Sequence, residues 1–217
     1  MFDVIARSPI APAPPVVKAD GWEVSGARAT GELTLTDCSP LTKIQVRAPI
    51  GGHAAAALGV RFGRAARDAA GRLVVGSGPG EWLLLAAPGR QAADFDPDAG
   101  PGESVSWVDQ THGRALMRLS GAAAPRVLAK LCGIDLSEDI TPDGAAFRTS
   151  LAALATDVIR DDLPGLPGLP GPTRSYLLHC ERSPGQYLFD AMLRAGAEFG
   201  LEIDGFRMPD ALPDRPD

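Results

Sequence analysis

The sequence predicts an α+β fold of mostly antiparallel sheets with helices packed against them, and three stretches carry that prediction. Residues 108–136 lay out a strand, a turn, a second strand, a glycine corner and a helix. Residues 73–86 hold two apolar runs joined by SGPGE, a hairpin signal whose glycines supply the backbone angles a turn needs. Residues 175–200 run from an alternating strand into an amphipathic helix.

In chain order, residues 1–20 read as an extended proline-rich arm, because Pro9, Pro12, Pro14 and Pro15 fix their own backbone and bias their predecessors away from helix. Residues 33–36 and 41–47 read as strands separated by a reversal at Asp37, Cys38, Ser39 and Pro40. Residues 53–58 read as an alanine-rich helix stopped by Gly59. After the hairpin, residues 91–104 form a polar linker, and a split of the 21–205 region into two small subdomains is expected near it.

In the second strand of the 108–136 stretch, Ala115, Met117 and Leu119 face one way and Leu116, Arg118 and Ser120 the other. Ser120 is the expected cap of the next helix, with Ala124, Leu128 and Leu131 as its buried stripe, Arg126 and Lys130 on the wet side, and Gly133 as its end. Residues 145–154 and 157–160 read as strands that pair with residues 175–181. Residues 163–172, with three tandem Leu-Pro-Gly units, form a protruding loop, since neither helix nor inner strand accepts them. In the last helix, Ser183 and Gln186 are the expected capping box around Pro184; Leu188, Met192, Ala195 and Phe199 form the apolar face; Gly200 is the stop. Residues 206–217 read as a polar tail.

A net charge of −6 with scattered arginines argues against nucleic-acid or anionic-membrane surfaces, which need a basic stripe to meet phosphates. No stretch approaches the roughly twenty apolar residues of a bilayer span. Cys38, Cys132 and Cys180 are an odd number with no close pair, which points to a reducing, cytoplasmic setting and away from a C-x-x-C metal site. His53, His112 and His179 form no H-x-x-x-H arrangement. The GSGPG run at 76–80 leads into a strand rather than opening a helix, so it lacks the context of a phosphate loop. Of the three histidines, only His112 is flanked by an aspartate and a threonine, Asp109 and Thr111, at a turn where an acid or base could be displayed, and a turn hydrogen-bonding role is the expected alternative to catalysis. For Asp157, Asp161 and Asp162 solvation is the default, Cys132 and Cys180 read as core, Cys38 as exposed in a polar turn, and Trp82 as a core or interface anchor.

Taken together, DCSPLTKIQVRAP from Asp37, GPGEWLLL from Gly78, VDQTHGRALMRLSG from Val108 and SYLLHCERSPGQYLFDAMLRAGAEFG from Ser175 resemble the gamma subunit of heterotetrameric sarcosine oxidase, over residues 31–200. That family is similar to the folate-binding fold of glycine-cleavage aminomethyltransferases, whose DxSH, strand, SG pattern is echoed by Asp109, Thr111, His112, Ser120 and Gly121, with threonine in place of serine. The resemblance implies a non-catalytic accessory chain with no catalytic, cofactor or metal residues of its own. It implies alpha, beta and delta partner subunits that hold FAD, FMN, NAD, tetrahydrofolate and zinc, and a complex that demethylates sarcosine or a related N-methyl amine. The alternative is a free-standing folate-dependent aminomethyl or one-carbon transferase with Asp109 or His112 in its site.

Overall fold

The computed structural model describes residues 5–95, 99–164 and 171–207. Most of the Leu-Pro-Gly loop and most of the expected C-terminal tail lie outside the described residues. The strands are β1 (Ala6–Arg7), β2 (Val16–Ala19), β3 (Trp22–Ser25), β4 (Thr34–Asp37), β5 (Thr42–Arg47), β6 (Ala65–Arg67), β7 (Leu73–Gly78), β8 (Glu81–Ala86), β9 (Ser106–Asp109), β10 (Arg114–Ser120), β11 (Ala146–Leu151), β12 (Leu154–Arg160), β13 (Ser175–Glu181) and β14 (Glu202–Asp204). The helices are α1 (His53–Leu58), α2 (Ala124–Ala129) and α3 (Gly185–Gly196). One large sheet has the order β11-β12-β13-β10-β4-β14, a second β6-β7-β8-β5-β9, and a small third β1-β3-β2.

Side-chain alternation stacks these elements into four layers. From β10, Ala115, Met117 and Leu119 pack with Val127 and Leu128 of α2 and Leu188 and Met192 of α3, while Leu116 turns to the opposite core with Leu177 and Ile159. In β8, Leu83 and Leu85 meet Leu116 between the two large sheets, and Trp82 and Leu84 face outward with Ile44, Val46, Val74 and Phe95. A strand buried on both faces reads as an unbroken apolar run, which is why EWLLLA lacks alternation. Each fully buried Leu or Met contributes about 1.5–3 kcal/mol, so the strands shared by two cores dominate stability. Trp22 and Val24 of β3 close one end of the inter-sheet core.

Several local expectations change. Residues 33–36 and 41–47 are not a hairpin, because β4 and β5 lie in different large sheets, and the same is true of β9 and β10. Within residues 1–20, β1 pairs parallel to β3 and β2 antiparallel to it, and Ile10 is fully buried against the helices. Ser120 stays in β10 with its hydroxyl 3.3 Å from that of Ser175, and α2 begins after Ala123 without a side-chain cap. α2 also ends before Gly133, at Lys130, as Lys130, Leu131 and Cys132 bond back in a tightened last turn. The Ser183–Gln186 capping box is absent. Pro184 is the N-cap, and the Gln186 side-chain oxygen instead accepts the Ala11 N–H at 2.6 Å, tying the N-terminal arm to α3. Residues 145–154 turn at Ala152 and Ala153, both with positive φ, so β11 and β12 form a two-residue hairpin. Phe206, placed in the polar tail, is buried between the sheets.

Candidate functional site

The chain crosses between the two large sheets at two places, from β4 to β5 and back from β9 to β10, and the two crossings grip each other. At the first, Asp37 Oδ1 accepts the Ser39 N–H at 2.9 Å; at the second, Asp109 Oδ1 accepts the Thr111 N–H at 2.7 Å. A carboxylate that bonds the backbone two residues on makes a turn from the side chain alone, which explains the shared D-x-S/T pattern. Each turn then docks on the strand leaving the other. The Cys38 N–H donates to the Leu116 carbonyl at 2.8 Å, and the Leu116 N–H donates to Ser39 Oγ at 3.2 Å. In the same way the Gln110 N–H donates to the Lys43 carbonyl at 2.8 Å, and the Lys43 N–H donates to Thr111 Oγ1 at 3.0 Å. Leu116 and Lys43 therefore occupy equivalent places in a pseudo-twofold knot.

The equivalence puts a lysine where the other half has a leucine. Lys43 is fully buried, and its ammonium donates to the carbonyls of Ser39 at 2.7 Å and Leu41 at 2.8 Å. Burial lowers its pKa to about 8, against the opposing pull of Asp37. The unfolded chain keeps a proton that the folded chain releases above pH 8, so Lys43 makes stability rise with pH from about 8 to 10.5. At about 1.36 kcal/mol per pKa unit, wild type gains about 3 kcal/mol over Lys43→Leu across that interval. Urea midpoints of the two proteins at pH 7.5 and 10.5 check this; a constant difference between them would show that Lys43 is not desolvated. Measuring both proteins in a Cys38→Ala background removes the contribution of Cys38, whose thiol burial pushes up to about 12 and which acts in the opposite direction above pH 9.

The sequence-derived candidates divide around this knot. Asp109 is exposed but occupied by its own turn. His112 is exposed and stacks on Trp22, with ring centroids 4.8 Å apart and planes 12° from parallel. Cys38, expected exposed, is buried, because the first crossing is folded under Leu116. Cys180 is core, Cys132 packs at its margin, and Trp82 is core with its indole N–H on the Val60 carbonyl at 2.6 Å. His53 lies at the start of α1, apart from both crossings.

Three aspartates expected in solvent are structural. Asp161 accepts from Arg118 Nη2 at 2.6 Å and from Arg67 Nη2 at 2.8 Å, so one carboxylate joins β10 of one large sheet to β6 of the other. Asp162 pairs with the buried Arg160 at 2.7 Å. Asp157 holds Arg148 at 2.7 Å and His179 Nδ1 at 3.2 Å. Burial pushes the Asp157 carboxyl up, but hydrogen bonds from His179 and Arg148 outweigh it and bring the pKa to about 2. Burial lowers the pKa of His179, keeping the ring neutral, and its Nε2 meets no partner among the described residues. The signal available in the sequence was position: Asp157 and His179 stand opposite each other on neighbouring strands.

The alternative of a folate-dependent transferase places tetrahydrofolate at Asp109 or His112, and the residues at the crossings do not fit it. A ligand of that size needs a cavity of several hundred Å³ with polar groups left free to orient it. Here Ser39, Lys43 and Leu116 fill the space between the crossings with essentially no exposed surface, and the polar groups of Asp109, Thr111 and Lys43 are already bonded to the chain itself.

The chain matches no family model. Among curated proteins it is 37% identical over 130 residues to sarcosine oxidase subunit gamma of Arthrobacter sp., covering 56% of this chain and 64% of that one. It is 35% identical over 156 residues to sarcosine oxidase subunit gamma of Corynebacterium sp. (strain U-96), covering 68% of this chain and 74% of the relative. The fold superposes on a chain of the heterotetrameric sarcosine oxidase from Corynebacterium sp. U-96 in complex with pyrrole 2-carboxylate, with a TM-score of 0.64, 28% identity, and coverage of 79% of this chain and 88% of that one. It also superposes on the glycine cleavage system aminomethyltransferase T from Bartonella henselae, with a TM-score of 0.62, 18% identity, and coverage of 88% and 55%. The latter shares the fold alone, consistent with the aminomethyltransferase-like α+β architecture expected from the sequence. The chain belongs to the sarcosine oxidase gamma subunit family.

Proposed function

We propose that this chain is a non-catalytic accessory subunit of a heterotetrameric, sarcosine-oxidase-like complex in the cytoplasm. The complex removes the N-methyl group of sarcosine or a related secondary amine and passes the one-carbon unit to tetrahydrofolate. Alpha, beta and delta subunits supply the chemistry and hold FAD, FMN, NAD, tetrahydrofolate and zinc. The observation that supports a bracing role is the paired crossing: its carboxylates, hydroxyls and buried lysine are consumed in holding two sheets together. Co-expression with the reading frames adjacent to its gene tests the proposal. Tagged chain is expected to recover flavin-containing subunits in fixed ratio, with no saturable tetrahydrofolate binding by the chain alone. Recovery of the chain free of flavoprotein, or folate binding with turnover by the isolated chain, overturns it.

A further inference from the structure

We infer that β9 is the docking edge of this chain, and that it accepts an extended, basic strand of a partner subunit as the next strand of the second sheet. The inference rests on the accessory-subunit reading and adds the surface through which it operates. β9 is the terminal strand of its sheet, and all four residues of Ser106–Asp109 are exposed. Trp107 is 37% and Val108 53% exposed, large apolar side chains on a strand where a solvent-facing edge is ordinarily blunted by lysine, proline or a bulge. None of these devices is present in SWVD, and the pairing with β5 is regular from Arg47–Ser106 to Ile44–Asp109.

The ladder fixes which backbone groups are offered. The Gln110 N–H donates to the Lys43 carbonyl, so in antiparallel alternation Val108 bonds inward to Gln45, and the N–H and C=O of Trp107 and Asp109 point outward. Among the described residues nothing bonds them. Such a row of main-chain groups is complementary to one kind of occupant, an extended strand, with Trp107 and Val108 gripping its side chains on alternate faces. Charge selects its composition. Asp109 ends the strand, Asp94 is exposed on the 3-10 turn Ala92–Phe95 beside it, and the chain carries a net −6.

Two substitutions test this in the co-expressed complex. Trp107→Pro removes an outward N–H without touching a bond to β5, and Trp107→Lys adds a charge to the edge while keeping the backbone intact. Both are expected to unfold at the wild-type midpoint as isolated chains, and to recover at least tenfold less flavin-containing partner. In the wild-type complex, amide exchange at Trp107 and Asp109 is expected to slow at least tenfold. If wild type recovers the partners and both variants do so equally well, the docking edge is overturned while the accessory function stands. If wild type recovers none, both fail. Self-association of the chain alone, abolished by Trp107→Pro, would give the edge to a second copy and overturn the partner assignment.

Discussion

Gly121→Ala is expected to lower the stability of the chain by about 2–6 kcal/mol, combining backbone strain with an overpacked contact, each worth about 1–3 kcal/mol. Gly121 turns the chain out of β10 at φ +131°, a conformation side-chain-bearing residues rarely adopt. A Cβ there would lie 2.4 Å from the Glu32 carbonyl oxygen and 2.9 Å from Leu33 Cα. Both obstacles are backbone, so no rotamer change relieves them. Glu32 and Leu33 lead into β4, which pairs with β10, so the strain falls on the middle of the large sheet. Urea denaturation checks the value, with Gly133→Ala as the control: nothing lies within 4 Å of its added Cβ, and its φ is unremarkable. A loss below about 1 kcal/mol in Gly121→Ala would mean that the corner moves freely.

The second large effect is expected at Asp161. Its side chain is 10% exposed and Arg118 16%, while Arg67 is 45% exposed. Removing the carboxylate strands a buried guanidinium, which costs about 3–5 kcal/mol, whereas losing an exposed partner costs about 1 kcal/mol or less. Asp161→Ala should therefore destabilise several-fold more than Arg67→Ala. Arg118 keeps the Ser175 hydroxyl at 2.7 Å, the Asp161 carbonyl at 3.0 Å and the Cys38 thiol, none of which carries the charge of the lost carboxylate. Equal losses from the two substitutions would mean that the energy resides in the pair joining the sheets and not in the burial of Arg118. Thermal midpoints of the single and double variants distinguish these cases.

Side-chain period made β10 and α3 readable, because each buries a whole face, and the 73–86 hairpin was readable from two apolar runs around a glycine turn whose strands pair directly. The crossings were not readable as crossings. Asp-x-Ser/Thr followed by a strand signals a change of direction, and nothing local says whether the next strand returns to the same sheet. The resemblance drew Asp109, Thr111 and His112 together in one turn, but the reciprocal contact with Asp37, Ser39 and Lys43 exists only after residues far apart meet. Lys43 in LTKIQV reads as the polar member of an alternating strand; it is buried because that face meets a second sheet and not solvent. Asp161 leaves solvent for the same reason, meeting Arg67 of the second sheet, whereas Asp162 is held by Arg160 and Ser175 of its own sheet. The helix caps failed differently: the Gln186 oxygen bonds Ala11, a tertiary contact that displaces the local one.

The interlocked crossings also govern the order in which the molecule can assemble. β4 is made early, yet its two neighbours are β10 and β14, so Thr34 waits for both Ser120 and Glu202. Neither half of the knot can close alone, since Ser39 needs Leu116 and Lys43 needs Thr111. Loop closure must be completed before these distant pairings repay it, which places folding on the slow side, on the order of milliseconds to seconds. During synthesis one edge of β4 stays unpaired until residue 204 has emerged, and an unpaired strand edge in a nascent chain is a place where aggregation begins.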